Sequence, residues 1–246
     1  MNPSVLPSAF AISAAMNNAR WCDLMCRVHG APGEFGPSFW LNAGSVPPFY
    51  PNLVTTSPAD PEGHHSAVER LIAATGGRTV SAKDSFQRLD LAPFGFAKLF
   101  DAQWYAALPG TFRHSQTDPG DSGEWLDTED AIRAWEAAGT VTEGPDRPCF
   151  PASLLLDPGV GVLAFRDREA IVGGAIAYRW RDSLGNTNIF GRTAFGAPIE
   201  TVCVRVAAAK YPGTMIVGYE AVETVQALEL NGALALGTLT VWLKAA

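Results

Sequence analysis

The sequence predicts an α/β fold, and the segment 213–246 gives the clearest reason for that prediction. An apolar run typical of a β-strand at 215–219 precedes a stretch at 222–230 in which apolar residues recur at helical spacing. An Asn-Gly pair at 231–232 is a helix stop signal, and a second apolar run follows at 234–243. A strand, a helix and a strand in this order predict the edge of an α/β sheet.

Composition and charge exclude several classes of protein. The 246 residues suffice for one large domain or two small ones, and 47% of them are hydrophobic, so a packed core is expected. The net charge of −7 argues against DNA as a partner, because an extended nucleic-acid surface needs surplus Lys and Arg. The N-terminus lacks the pattern of a secretion signal, and we expect no membrane partner. Four cysteines are too few for a disulfide scaffold, which predicts reduced thiols and a cytoplasmic location.

Helices and strands are predicted to alternate along the N-terminal half. Ser8 is a suitable N-cap for a helix that runs to about Val28, and Gly30 would end it. The Pro- and Gly-rich stretch 31–60 carries several aromatic residues, which predicts that it covers a core or lines a pocket. The further elements expected here are a strand at 53–56, a helix at 66–74, strands at 78–86 and 98–105, and a short helix carrying Ile132 and Trp135.

A Gly- and Pro-rich stretch at 143–148 is the best candidate for an internal boundary, so we expect two halves, 1–145 and 146–246. Beyond this stretch the pattern is richer in strands. Two apolar runs at 160–165 and 170–180 are joined by four charged residues, which predicts a β-hairpin with a polar turn. A short strand at 188–190 and a helix at 198–210 are expected to follow.

The order of elements over 158–244 resembles that of the GNAT family, the Gcn5-related N-acetyltransferases. It comprises a β-hairpin, a strand, a loop, a helix, a strand, a helix that ends near Gly232, and a last strand. The resemblance implies an α/β protein with a GNAT-like mixed central sheet flanked by helices. Because 86–91 and 225–230 are similar to each other, the N-terminal half is interpreted as a degenerate second GNAT-like copy or an accessory half.

The resemblance also implies a function. It points to an enzyme that moves an acyl group from an activated thioester or ester, with acyl-CoA as the expected co-substrate, to the amine of a small molecule. Two alternatives stay open: an aminoacyl-tRNA-dependent transferase of the same fold that forms amide bonds, and a non-catalytic binding module. The tRNA alternative requires several arginines to gather on one face. The oligomeric state is left open.

In GNAT enzymes a loop of pattern Gln/Arg-x-x-Gly-x-Gly/Ala binds the pyrophosphate of acyl-CoA, because backbone N–H groups before a helix converge on the anion. The matching stretch here departs from that pattern where Phe195 replaces the first Gly, and Pro198 after it removes a donor. The family's Tyr on the last helix, a general acid, corresponds to Leu228. By resemblance, the cofactor-binding candidates are Arg192, Thr193, Ala194, Gly196 and Ala197.

Four residues are candidates for acid–base catalysis. Glu220 follows a strand at the place where a base accepting a proton from an attacking amine is expected, and its alternative role is to favour the start of the next helix. His29 and Glu34 flank a Gly-Ala-Pro-Gly turn and form a possible acid–base pair, with a solvated loop carboxylate as the alternative. Asp84 ends a predicted strand, where it either lines a ligand crevice or serves as a cap or ion-pair partner.

Aromatic residues are candidates for binding a flat substrate, although most of them are expected in the core. The pattern Cys22-x-x-x-Cys26-x-x-His29 places two thiols and an imidazole near one helical face, as a metal site would. Buried cysteines and a cation at the helix end explain the same pattern, so we expect no metal. The substrate-binding candidates are Trp40, Tyr50, Trp104 and Tyr219.

Overall fold

The computed structural model describes residues 6–112, 123–139, 149–191 and 197–246. Within these ranges the chain forms five α-helices and eleven β-strands. The helices are α1 (Leu6–Val28), α2 (Pro61–Thr75), α3 (Glu129–Gly139), α4 (Ile199–Lys210) and α5 (Val222–Glu229). The strands are β1 (Glu34–Phe35), β2 (Phe39–Leu41), β3 (Leu53–Thr55), β4 (Val80–Asp84), β5 (Ala97–Ala107), β6 (Glu124–Leu126), β7 (Val160–Asp167), β8 (Ala170–Trp180), β9 (Ser183–Gly191), β10 (Met215–Glu220) and β11 (Leu234–Lys244).

The chain divides into two compact units. One comprises Met1–Trp104 and Leu236–Ala246, and the other comprises Tyr105–Ala235. The divisions fall inside β5 and β11, so each of these strands contributes residues to both units. The predicted boundary at 143–148 lies outside the described residues, and a division into two GNAT-like copies stays a prediction.

In the first unit the strands lie in the order β1-β2-β3-β4-β11-β5. The neighbours β3 and β4 are parallel, and α2 connects them, which is the connection that parallel strands require. α2 begins where Asp60 accepts a hydrogen bond from the Gly63 backbone N–H, 3.0 Å away, and it ends at Gly76 in the left-handed region. Its apolar side packs on the sheet through Leu71, next to Leu53 of β3.

Helix α1 confirms the predicted helix with its end at Val28 and buries Trp21 and Met25. It begins at Leu6, so Ser8 lies within the helix and the prediction that Ser8 is the N-cap is wrong. Asp23 is also buried in this helix, where the indole Nε1 of Trp40 donates to its Oδ1 across 2.9 Å. The Gly33 N–H donates to the same oxygen across 3.2 Å, and Arg27 pairs with the other. A buried carboxylate is tolerated here because these donors replace its water shell.

The prediction that the last strand lies at a sheet edge is wrong. β11 lies between β4 and β5, and it pairs antiparallel with β4 from Thr240 and Asp84 to Lys244 and Val80. An apolar strand is recognisable from its own residues, but its neighbours depend on contacts far apart in sequence. An interior position fits the burial of Leu239, Thr240 and Val241 in β11.

In the second unit the strands lie in the order β6-β7-β8-β9-β10-β5. The predicted hairpin is confirmed as β7 and β8, which pair antiparallel. β9 is longer than the expected 188–190. The prediction left out Gly185 and Asn186 because both are poor strand formers, yet both lie buried within the strand. α4 connects the parallel strands β9 and β10. Its apolar residues belong to two hydrophobic clusters: Val204 packs with Tyr105 and Ile216, and Val202 packs with Leu163 and Phe165.

Among the described residues, no helix combines the length and apolar character that a membrane crossing needs.

Candidate functional site

The two parallel strands of the second unit part before they end. Paired residues of β9 and β10 run from Ser183 and Met215 to Gly185 and Val217, while both strands continue beyond that pair. Past it, β9 pairs with β8 across a register shift, and Asn188 adopts φ +52° there. The β9–β10 pairing therefore stops three residues before the end of β10, and the two strands continue past it side by side without that ladder.

Glu220 is the last residue of β10, beyond the point where the ladder ends. Burial raises the pKa of its carboxyl from 4.5 to about 7, and the negative charge of Glu200 is a second, smaller cause. The side chain is half-buried, so it retains access to solvent. A carboxyl with this pKa both accepts and releases a proton near neutral pH, as a general base does.

Tyr105 is fully buried, and its phenol is close enough to Glu220 to be affected by the charge of that carboxylate. Burial, then the charge of Glu220, raises the pKa of its phenol, which therefore stays protonated. The amide Nδ2 of Asn186, in β9, donates to the phenol oxygen across 3.3 Å. Gly218 permits this arrangement, because a Cβ at that position would lie 2.6 Å from the same oxygen.

Helix α4 contributes two residues that interact electrostatically with Glu220, namely Glu200 and Cys203. Glu200 lies in its first turn, where a negative charge is stabilised by the helix dipole. Cys203 is one turn further and buried; burial, then the charges of Glu200 and Glu220, raises the pKa of its thiol well above the ordinary value. A thiol held in its protonated form is a poor nucleophile, so the arrangement favours proton transfer by Glu220 over covalent catalysis by Cys203.

Asp84 lies at the end of β4 in the first unit, as predicted, and is buried. Its oxygens accept hydrogen bonds from the backbone N–H groups of Phe86, at 3.3 Å, and Leu89, at 2.7 Å. Burial raises the pKa of the carboxyl, and these donors oppose the shift. Its neighbour Lys83 donates a hydrogen bond to Asn18 Oδ1 across 2.8 Å. Asp84 therefore organises the turn that follows β4.

The predicted pair of His29 and Glu34 lies in the first unit, near the end of α1 and in β1. Both residues are exposed. Glu34 forms an ion pair with Arg70 of α2. The ion pair gives Glu34 a structural contact at the surface. A role of His29 and Glu34 in acid–base chemistry stays a prediction.

Three of the predicted substrate-binding aromatics are buried in the first unit. The indole of Trp104 donates to the Ser85 carbonyl across 2.9 Å, and Tyr50 packs against Trp21 with ring centroids 6.5 Å apart. Trp40 is fully buried and donates to Asp23, as described above. The fourth, Tyr219, is half-buried in β10 of the second unit, next to Glu220.

The predicted pyrophosphate loop lies mostly outside the described residues, which exclude Arg192, Thr193, Ala194 and Gly196. Ala197 is described, and it packs, partly buried, against the core that holds Ile199 and Cys203. The loop precedes α4, whose first turn follows Pro198.

The sequence interpretation missed Tyr105, Asn186 and Cys203 near Glu220. Successive side chains of a strand point to opposite faces, so Trp104 reaches Ser85 while Tyr105 lies against β10. The predicted strand at 98–105 could have shown this, because in a strand the neighbours Trp104 and Tyr105 must point to opposite faces of the sheet. The partnership with Asn186 had no signal, because eighty-one residues separate it from Tyr105.

Among the described residues, no group of three or more His, Cys, Asp or Glu side chains is arranged to hold a metal ion. Cys22 and Cys26 are buried in α1, and burial raises the pKa of their thiols to about 11 and about 12. Protonated, buried thiols behave as small apolar side chains.

No protein-family model matches the sequence, and no curated protein resembles it. Several solved structures, in contrast, are similar to this chain. A GCN5-related N-acetyltransferase from Kribbella flavida superposes with a TM-score of 0.66 at 15% identity, over 95% of this chain and 96% of that one. A protein assigned to the GNAT family from Novosphingobium aromaticivorans gives a TM-score of 0.57 at 14% identity, over 94% and 99%.

A functionally unknown conserved protein from Staphylococcus epidermidis also superposes, with a TM-score of 0.54 at 9% identity over 86% of this chain and 92% of that one. These similarities cover nearly the whole chain. The protein therefore has a GNAT-like α/β fold, a mixed sheet flanked by helices, as the element order had led us to expect.

Proposed function

We propose that the protein is an N-acyltransferase that moves an acyl group from acyl-CoA to the amine of a small molecule, with Glu220 as the general base. The observation that carries this proposal is the carboxyl of Glu220, with a pKa of about 7, at the end of a strand that has parted from its parallel neighbour. The GNAT-like fold supports the choice of reaction.

In this proposal Glu220 removes the proton from an ammonium group, directly or through a water molecule. The free amine attacks the thioester carbonyl, a C–N bond forms, and the C–S bond breaks. The extra proton on the attacking nitrogen passes to the departing thiolate, directly or through water, which leaves a neutral amide and a thiol. Backbone N–H groups of β9 or β10 beyond the end of their ladder stabilise the oxyanion of the tetrahedral intermediate. Tyr105 and Asn186 act as positioning residues, because their hydrogen bond fixes the surroundings of Glu220.

Aminoacyl-tRNA as the donor has less support in the arrangement of charges. Two arginines of the second unit, Arg133 and Arg166, are paired with Glu129 and Glu124. Arg113 and Arg147 lie outside the described residues. Pairing neutralises charge that phosphate contacts would need.

The donor is tested by thermal unfolding with acetyl-CoA, CoA and bulk tRNA in parallel. A ligand at about one hundred times its dissociation constant adds roughly 2.7 kcal/mol of stability, which is an easily measured shift. We expect a shift with acetyl-CoA and CoA. A shift with tRNA alone would contradict the proposed donor, and no shift with any of the three would favour a binding module of other specificity.

The role of Glu220 is tested by acetyl transfer to a panel of primary amines, followed as thiol release. Glu220→Gln removes the base and keeps the size of the side chain, so turnover should fall by about 10²-fold or more. Glu229→Gln is the matched control, because Glu229 is an exposed carboxylate at the other end of α5 in the same unit. Equal losses in both variants would contradict a specific role for Glu220.

A further inference from the structure

The ammonium group of Lys210 lies on two aromatic rings at the end of α4, in the second unit. Its Nζ is 4.1 Å from the ring centroid of Trp125 and 5.8 Å from that of Tyr211. The two rings meet edge to face, with their centroids 5.8 Å apart. Gly161 in β7 makes room for them, because a Cβ there would lie 2.7 Å from the Trp125 ring and 3.1 Å from the Tyr211 hydroxyl. The rings therefore hold an amine that stays exposed to solvent.

The other three lysines of the chain each donate a hydrogen bond to an oxygen. Lys98 pairs with a carboxylate at 2.7 Å, Lys83 donates to an amide oxygen at 2.8 Å, and Lys244 donates to a backbone carbonyl at 3.1 Å. For Lys210 the described part of the chain offers the two ring faces and no oxygen acceptor. A hydrogen bond from the ammonium to an oxygen favours the protonated form, and Lys210 lacks that stabilisation.

Only the neutral amine of a lysine is a nucleophile, so whatever disfavours the ammonium raises reactivity. Burial against the rings lowers the pKa of Lys210 from its ordinary value. Among the residues that the structure describes, no carboxylate pairs with this ammonium to oppose the shift. Lys210 thus combines exposure, a fixed position and a more accessible lone pair.

Arg179 adds positive charge to the same surface. It is exposed, its charge acts on the phenol of Tyr211, and within the described ranges it forms no ion pair with a carboxylate. Coenzyme A carries negatively charged phosphates, and a positive surface raises the local concentration of such an anion. The surroundings of Lys210 therefore favour an encounter with acyl-CoA.

We propose that Lys210 is an acylation site, modified directly by free acyl-CoA; this inference rests on the proposed function only for the identity of its reagent. The neutral amine attacks the thioester carbonyl, a C–N bond forms, and the C–S bond breaks. The extra proton on the nitrogen passes to the thiolate, which leaves an amide on the lysine and free CoA. Lys210 is the last residue of α4, whereas Glu200 lies in its first turn, so the reaction needs no contact with Glu220.

The test is mass spectrometry of the full chain after timed incubation with millimolar acetyl-CoA, with peptides made by a protease that does not cut at lysine. We expect the initial rate of acetylation at Lys210 to exceed the rate at each other lysine by at least about threefold. Lys210→Arg should remove most of the mass added to the intact protein. Lys98→Arg is the matched control, because it replaces an exposed lysine that has a carboxylate partner, and it should leave the added mass almost unchanged.

Two further measurements separate the effect of the fold from the intrinsic reactivity of lysine. In urea the four lysines should react at similar rates, because their contacts are lost. Asp101→Asn removes the ion pair of Lys98 in the folded protein, and acetylation at Lys98 should rise, by up to about fivefold. An unchanged rate at Lys98 would contradict the protection of a lysine by its oxygen acceptor.

Three results would overturn the proposal: no acetylation at Lys210, equal or faster acetylation at another lysine of the folded chain, or loss of Lys210 acetylation in Glu220→Gln. The last result would show that an active site modifies the lysine in place of free acetyl-CoA. Failure of the proposed function gives a different pattern. Lys210 would then be acetylated by a protein that transfers the acetyl group to no added amine.

Discussion

The side-chain amide of Asn186 donates a hydrogen bond to the phenol oxygen of Tyr105 across 3.3 Å, and both side chains are buried. This bond joins β9 to the end of β5 that belongs to the second unit. It satisfies two buried polar groups where β9 and β10 part, and it places a protonated phenol near the carboxyl of Glu220. Both stability and proton transfer at Glu220 should therefore respond to changes in this pair.

Tyr105→Phe keeps the ring and removes the hydroxyl, which leaves the amide of Asn186 without this acceptor. Loss of a buried hydrogen-bond partner costs about 1–3 kcal/mol, so the free energy of unfolding should fall by that amount. Urea denaturation followed by circular dichroism measures it. A variant as stable as the unchanged protein would show that the Asn186 amide has another acceptor.

Gly218→Ala should also destabilise the second unit. Its Cβ would lie 2.6 Å from the phenol oxygen and 2.8 Å from the ring carbons of Tyr105, a residue that is fully buried. Overpacking of a buried site costs about 1–3 kcal/mol, measurable by urea denaturation. Gly44→Ala is the control, because its Cβ would meet a single side-chain oxygen at 3.2 Å. Equal effects of the two substitutions would contradict tight packing of Tyr105 on β10.

The raised pKa of Glu220 predicts how stability depends on pH. The unfolded chain releases this proton near pH 4.5, while the folded protein holds it until about pH 7. The folded state binds more protons in that window, so the stability that this carboxyl contributes is fully present below pH 4.5 and is lost as pH rises to about 7. The loss is up to about 3 kcal/mol, reduced by solvent screening because the side chain is half-buried.

Glu220→Gln should remove this contribution and be more stable than the unchanged protein at pH 8. Chemical denaturation of both proteins across the pH range gives the difference directly. Parallel curves for the two proteins would show that Glu220 titrates at its ordinary value.

Asp84→Ala should destabilise the first unit, since it removes the acceptor for the backbone N–H groups of Phe86 and Leu89. Leaving buried N–H groups without an acceptor costs about 1–3 kcal/mol. Asp84→Asn should cost less, because an amide oxygen remains. Thermal or urea unfolding of the two variants measures the difference, and equal stability of Asp84→Ala and the unchanged protein would contradict the structural role.

The elements of the fold were largely predictable, because each depends on residues close together in sequence. Helix α4 runs from Ile199 to Lys210, close to the predicted range 198–210, and the hairpin β7–β8 follows from two apolar runs around a charged turn. The strand order was not predictable. The place of β11 between β4 and β5 depends on pairing across the whole length of the chain.

For the candidate site too, the positions of residues were predictable and their surroundings were not. Glu220 was predictable as a polar residue at a strand end, but its pKa was not, because burial and the charge of Glu200 arise only once β10 and α4 are packed. Asp84 was found by the same strand-end argument, yet its oxygens are occupied by the turn that follows. Position in a pattern identifies a candidate, and the surrounding donors determine which role it takes.

The most direct test of a Glu220 general base is the pH dependence of kcat/KM for acetyl transfer, with the best acceptor amine of the panel. The account predicts that kcat/KM rises along a single-proton limb with an apparent pKa near 7. It also predicts that Glu220→Gln loses both the limb and about 10²–10⁴-fold in rate, while Glu229→Gln keeps both. A Glu220→Gln variant with the unchanged protein's rate and pH profile would contradict the account.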